Sequence, residues 1–516
     1  MESRPAGNKY KENVLEGLKP HGKLKDLKIE NFMGDTFPSW MMSRSLALNN
    51  LKKIQLGNCS KCERVPVLGY LPNLRHLEID GMANLKYVGV EFYGSQDVYD
   101  ATTRSRETMA LFPALQTLCI LRCTELIEWI APVMSTEKVV VFPCLEELYI
   151  WFCPKLRNAP NHFPSLKKLD INDVDNMPIA NIISSKLTTL SSLNINHVQG
   201  LTHLPEGMLK NNKNLTSLKV RDCKMLSYIA PDLVGCCASL RSLVIDGCEE
   251  LRCLPDGLNA LALEELTIRH CNSLEVIPIR NGLAYLRVLR VEFCDRLSVL
   301  PSWLEYCALQ ELVICGCRNL TSIPIAHDMA LTSLRTCIIS GCPQLPGLPS
   351  RLGYYTSLQE LEISYCPSLA SIPFRDGFAL KSLRICIISG CPQLSSLPSG
   401  LEYCDSLREL EISYCPRLAS ILFSCIFPFL HQLEIRDCNE LSSLTVLEFC
   451  PSLQKLSITK CPKLTSLSIC ISEYTRELSG VSTLDLLESR PGPEIISDCN
   501  SQHFLSHLKD LRIGGF

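Results

Sequence analysis

The sequence has almost no net charge. Its 51 basic and 54 acidic residues leave −3 over 516 positions, which makes no case for nucleic acid or an anionic membrane as the main partner. It also lacks a long apolar run: the richest stretch, Leu418 to Leu430, is interrupted by Ser and Pro and is too short to cross a bilayer. The opening MESRPAGNKYKENV has no apolar signal-peptide core, which points to a cytoplasmic or nuclear setting. Phosphate-binding glycine loops of the forms G-x-x-x-x-G-K-[ST] and G-x-G-x-x-G are absent. The ten histidines are scattered, none beside an acid and a nucleophile in a local motif. No cofactor, metal or enzymatic chemistry is therefore expected.

What the sequence has in excess is cysteine, 29 in all, together with a frame that keeps returning. LEELTIRHCNSLEVIP, from Leu263 to Pro278, recurs as LRSLVIDGCEELRCLP from Leu240, LRVLRVEFCDRLSVLP from Leu286 and LQELVICGCRNLTSIP from Leu309. Its Cys falls at 223, 248, 271, 294, 317, 342, 366, 391, 415, 438 and 461, always 23 to 25 residues apart. That period and apolar spacing are the signature of leucine-rich repeats. About 18 frames are clear, with one or two more degenerate. The expected fold is α/β: a curved leucine-rich-repeat solenoid with a concave parallel β-sheet and a convex side of turns and short helices.

In each frame Leu266 and Ile268 share a strand face, Leu263 enters the core as the chain bends in, and Cys271, Leu274 and Ile277 turn inward. Pro278 removes a donor and favours an extended predecessor, which suits the return path. Cys is small and readily buried, so a column of one per coil reads as packing rather than as disulfide pairs. Cys59 and Cys62 form one C-x-x-C without a second pair at metal-like spacing, and Cys59 already holds the frame position.

Taken in order, residues 1–23 read as a partial leading repeat with Val14, Leu15 and Leu18 on one helical face. Repeats follow over 24–94, an exposed insertion over 95–110, repeats again over 111–474, and degenerate terminal repeats over 475–516. The absence of a polar cap ahead of Leu24 suggests the later part of a longer protein. CIISGCPQLPGLPSRLGYYTSLQELEISYCPSLASIPF, from Cys337, returns nearly unchanged at Cys386. That 49-residue offset is two repeats and marks an internal duplication.

Function is then expected on strand positions between the buried ones. The candidates are Tyr149 and Trp151, Arg269 and Arg290, Glu360, Glu362 and Tyr365, and Glu409, Glu411 and Tyr414. Thr267, His270, Glu292, Phe152 and Phe293 share those positions, the two Phe being equally suited to packing against the next coil. Ile338, Ile385 and Ile387 fall among the C-terminal acids. An extended face of mixed charge with aromatics suits a protein partner, although most such residues on any strand are simply solvated.

Particular segments carry a resemblance. VLEGLKPHGKLKDLKIENFMGDTFPSWM (Val14 to Met41), the stretch from Leu51 to Gly94, the pairs Phe112-Pro113, Phe142-Pro143 and Phe163-Pro164, and the LEISYCPSLASIP style of later repeats resemble the leucine-rich-repeat region of plant intracellular disease-resistance proteins. In that class a coiled coil and a nucleotide-binding domain precede the repeats. The resemblance implies recognition of a pathogen effector, directly or through a guarded host protein, and restraint of an upstream nucleotide switch. The family's phosphate-binding lysine, acidic hydrolysis motif and Met-His-Asp motif have no counterparts here, so nucleotide binding is not carried over. The alternatives are a ubiquitin-ligase substrate adaptor, whose F-box-like helical segment ahead of the repeats is not seen here, and an extracellular receptor, whose repeats usually carry Asn where this chain has Cys.

Overall fold

The computed structural model describes residues 14–467 and 509–515, except 44–47, 95–108, 133–138, 184–186, 205–211, 230–238, 256–257, 259–260, 279–282, 303, 305–306, 325–330, 349–356, 373–379, 399–400, 402–403, 422–426, 445–449 and 465. The chain divides into two compact units, the first essentially 1–251 and the second 262–516. Each is a leucine-rich-repeat solenoid.

In the first unit nine repeat strands, from Asp26–Glu30 to Ser242–Asp246, lie parallel and in register. In the second, ten do so from Glu265–Arg269 to Asp510–Gly514. The register follows from the frame. Leu289 pairs with Leu266 and Val291 with Ile268, so every coil drops the same apolar pair into the core while the residues between them stay on the solvent face. A slip of one residue would send both columns to the wrong side.

The rest of the frame is turn chemistry. After the strand comes one residue in the left-handed region: Asn58, Asp222, His270, Phe293, Tyr365, Tyr414, Asp437 and Lys460 lie at φ 50–55°, and Gly247, Gly316, Gly341 and Gly390 at 62–64°. Its N–H still reaches the next coil's carbonyl, as from Tyr365 to Ser389 at 2.8 Å. The reversed backbone then swings the frame Cys inward. C-x-x-L closes as a turn, Leu274 N–H donating to the Cys271 carbonyl at 3.1 Å. The preceding L-x-x-L closes likewise, Leu286 to Leu283 at 2.9 Å. Thus the spacings in the sequence are the spans of two hydrogen-bonded turns.

The frame thiols are fully buried and form no disulfide among the described residues. Cys317 donates to the Val291 carbonyl of the preceding coil at 3.7 Å, and Cys294 to Ile268 at 3.9 Å, so the S–H is satisfied where Leu would fit less well. Burial holds Cys223 up at about 11 and Cys391 at about 12. Cys59 and Cys62 are buried as well, the latter donating to the Gly34 carbonyl at 3.2 Å. No group of three or more metal-ligating side chains occurs among the described residues. Where the frame Cys is missing, Val174 and Val198 fill the same inward position.

The first unit adds an aromatic spine. Phe112, Phe142 and Phe163, the Phe of the three Phe-Pro pairs, stack in sequence at 5.1 and 5.9 Å, joined by Phe92, Tyr93 and Trp129. All six are buried, and Trp129 Nε1 donates to the Tyr93 hydroxyl at 2.9 Å.

Two expectations need correcting. Residues 14–17 are helical, but Val14 and Leu18 are exposed; the helix is held instead by Glu16, which accepts from Ser39 N–H at 2.7 Å, and by the Leu15 carbonyl, which accepts from Trp40 Nε1 at 3.1 Å. Thr267, expected on the solvent face, is only 3% exposed. Of the expected insertion, 95–108 lies outside the described residues and its last two open the short strand Met109–Leu111. Most of 475–516 lies outside them as well.

Candidate functional site

The candidate residues fall on three stretches of sheet with different electrostatics. In the first unit Tyr149 and Trp151 stand on one strand, their rings edge to face at 5.7 Å. Trp151 Nε1 donates to Asp170 at 2.8 Å, and Lys168 sits 5.0 Å over the Tyr149 ring. Both aromatics are half-buried and already have partners on the neighbouring coil.

At the start of the second unit the charges pair among themselves. Arg290 reaches Glu311 at 2.7 Å and Glu265 at 3.7 Å, and Arg269 reaches Glu292 at 2.9 Å. This is a self-neutralised patch, with little charge left to offer a partner.

Two coils further on the pattern changes. Glu360, Glu362, Glu409 and Glu411 form no ion pair with a described residue. Register alternates them with aliphatics: Ile338, Glu362, Ile387 and Glu411 are successive Cα partners, and Thr336, Glu360, Ile385 and Glu409 form the adjacent row. Beneath the carboxylates runs a buried serine ladder. Ser364 and Ser413 each donate to their own strand's Glu362 and Glu411, at 2.9 and 3.1 Å, and approach Ser340 and Ser389 at 2.8 Å. The field is felt by Cys315, whose thiol is pushed to about 11 by burial first and then by Glu292 and Glu362.

Tyr365 and Tyr414 do not lie within the strands. They occupy the left-handed position just past them and are 62% and 45% exposed. A bulky residue there costs on the order of 1–2 kcal/mol relative to Gly, so neither is placed by backbone preference. Phe293 meets both expectations at once: it stacks on His270 at 4.9 Å, lies over Gly316 of the next coil and remains 46% exposed. The serine ladder and the left-handed column were not identified from sequence, although the recurrence of Gly, Asn or Asp before the frame Cys is a readable signal for the column.

Residues 2–82 match the R13L1/DRL21 leucine-rich repeats. The chain is 31% identical over 280 residues to the putative disease resistance RPP13-like protein 1 of Arabidopsis thaliana, covering 53% of this chain and 25% of that protein. It is 32% identical over 227 residues to the putative disease resistance protein RGA1 of Solanum bulbocastanum, covering 44% of this chain and 21% of that protein. The chain is built of leucine-rich repeats and is similar in sequence to parts of plant disease-resistance proteins. It spans about a quarter or less of the length of these relatives. Among solved structures, a leucine-rich-repeat protein of Leptospira interrogans shares 17% identity over 80% of this chain and 95% of that one, with a TM-score of 0.39. No helix among the described residues is long and apolar enough to cross a membrane.

Proposed function

We propose that the chain is a non-enzymatic recognition module of a plant immune receptor, acting in the cytoplasm or nucleus. Its binding surface is the solvent face of the strands from Thr336–Ser340 to Glu409–Ser413. The partner is a pathogen effector or a guarded host protein, and in the full-length receptor an upstream nucleotide-binding region is a second, internal partner. The observation that carries this reading is the contrast within one sheet. The arginines at 269 and 290 are neutralised internally, whereas Glu360, Glu362 and Glu409, alternating with isoleucines, form no ion pair with a described residue, and Glu411 has only the more distant field of Arg436. The named relatives favour this reading over a ubiquitin-ligase adaptor.

The test is affinity for a partner identified from leaf tissue, comparing the native chain with Glu362→Lys plus Glu411→Lys. Both carboxylates sit on the solvent side, so the thermal midpoint should hold while affinity falls about tenfold or more. Unchanged affinity would refute this placement of the surface.

A further inference from the structure

The internal duplication has built the same half-site twice, and the copies differ in the coil that follows each. In the second copy Glu411, Ser413 and Tyr414 face the next coil's Arg436, in register with Ser413. The Arg436 guanidinium donates to the Tyr414 hydroxyl oxygen, pairs with Glu434 and lies in the field of Glu411. The first copy has the same Glu362, Ser364 and Tyr365. Its next coil carries Ser389 where Arg436 stands and Ile387 where Glu434 stands. The first half-site therefore lacks both the arginine of the second and the glutamate paired with it.

A surface recess of about 430 Å³ opens at this first copy. Gly341 and Gly390 floor it, the frame-adjacent Pro343, Pro367 and Pro392 wall it, and Tyr365 stands in it. Arg318 forms the lip on the earlier coils, 3.8 Å from Asp295. The Tyr365 ring is laid over Gly390, where any Cβ would come within 2.9 Å of it. Glycine at 390 is thus favoured both by its φ of 62° and by the ring.

Resting on the recognition reading above, we propose that this half-site takes an arginine from the partner. The guanidinium sits between the Glu362 carboxylate and the Tyr365 ring, supplied by the partner where the second copy has Arg436 on the next coil, and an apolar side chain next to that arginine fills the recess. An aromatic face and a carboxylate held in place by a serine hydroxyl are what a weakly hydrated, planar cation binds best. Coils are about 4.8 Å apart, so an extended segment crossing the strands brings an apolar residue over the recess within one or two residues of the arginine.

The probe is an immobilised array of capped hexapeptides carrying Arg, Gln or Glu next to Leu, Phe or Gly, read with the labelled full chain. Peptides with Arg beside Leu or Phe should be retained at least about tenfold more strongly than their Gln and Glu counterparts. Retention should be lost in Glu362→Gln and in Ser389→Arg, which supplies the cation from within, and kept in Glu411→Gln. Absence of Arg dependence, or retention unchanged in a folded Ser389→Arg chain, would overturn the proposal. The two readings separate cleanly: a Glu362→Lys plus Glu411→Lys chain that loses its leaf partner while Ser389→Arg keeps it refutes this half-site and leaves the recognition surface standing. If neither variant affects the partner, both fail.

Discussion

Replacing Phe142 by Ala tests whether the aromatic spine holds the first unit together. Phe142 is fully buried at the centre of the spine, 5.1 Å from Phe112, 5.9 Å from Phe163 and Tyr93, and 6.1 Å from Trp129. Truncating a buried Phe removes its transfer free energy and leaves a cavity that neighbours fill only in part, typically about 3–5 kcal/mol. Its four ring neighbours belong to successive coils and are themselves locked by packing, so little collapse is available and the upper half of that range is expected. A solenoid's stability is close to a sum of neighbour terms, so the loss should be local. Native-state hydrogen exchange followed by mass spectrometry reads this directly. Amides of the Thr117–Leu121 and Glu147–Cys153 strands should exchange faster by about three orders of magnitude, since 1.4 kcal/mol is about tenfold. Those of the Glu360–Ser364 strand should be unaffected. A loss below about 1 kcal/mol, or one spread evenly over both units, would show that the spine is not the local keystone argued here.

Three further outcomes follow from the same geometry. Gly69→Ala should cost about 3 kcal/mol, because the new Cβ would lie 2.6 Å from the Tyr93 carbonyl oxygen and 2.7 Å from its Cα, backbone that cannot step aside; a urea midpoint like the native one would contradict this. Tyr365→Gly should leave stability unchanged or raise it by up to about 1 kcal/mol, by relieving the left-handed strain at φ 52°, while abolishing retention of the arginine peptides; clear destabilisation would mean the ring is structural. The frame thiols Cys223 and Cys391 and the strand thiol Cys386 titrate later folded than unfolded, being held at about 11 to 12 by burial. Their contribution is therefore full below the ordinary thiol range near pH 9 and is lost as pH climbs toward 12. Urea midpoints should be flat from pH 7 to 8 and fall by pH 10.5. At pH 8 iodoacetamide should label exposed Cys144 and Cys253 and spare the frame thiols until denaturant is added.

Much of the fold could be read from the chain because its determinants are local and repeated. L-x-x-L and C-x-x-L are each one hydrogen-bonded turn, and Leu-x-Ile is one strand face, so the spacing alone sets register over many coils. The buried role of the Cys column was legible for the same reason. What the spacing does not carry is the partner of each solvent-facing side chain. Arg290 and Glu362 occupy the same strand position, yet one is closed between Glu265 and Glu311 and the other rests on Ser364. For Arg290 that difference depends on residues one coil away on either side, 21 and 25 positions distant in the chain. Thr267 was misplaced because a mid-strand position that is half-exposed in most coils is covered in this one. Tyr365 and Tyr414 look like strand residues in sequence, and the backbone shows them standing in a left-handed position that Gly, Asn or Asp fills in other coils.

The central claim, that recognition is written on the solvent face of the strands between 336 and 413, is tested most directly by site-specific photo-crosslinking. A benzophenone side chain is placed in turn at Ile387, between Glu362 and Glu411, and at Tyr285, exposed just before a repeat's first Leu. The account predicts that the probe at 387 captures a leaf partner in an amount that falls when Glu362 and Glu411 are reversed to Lys, and that the probe at 285 does not. Capture from 285, with none from 387, would contradict it.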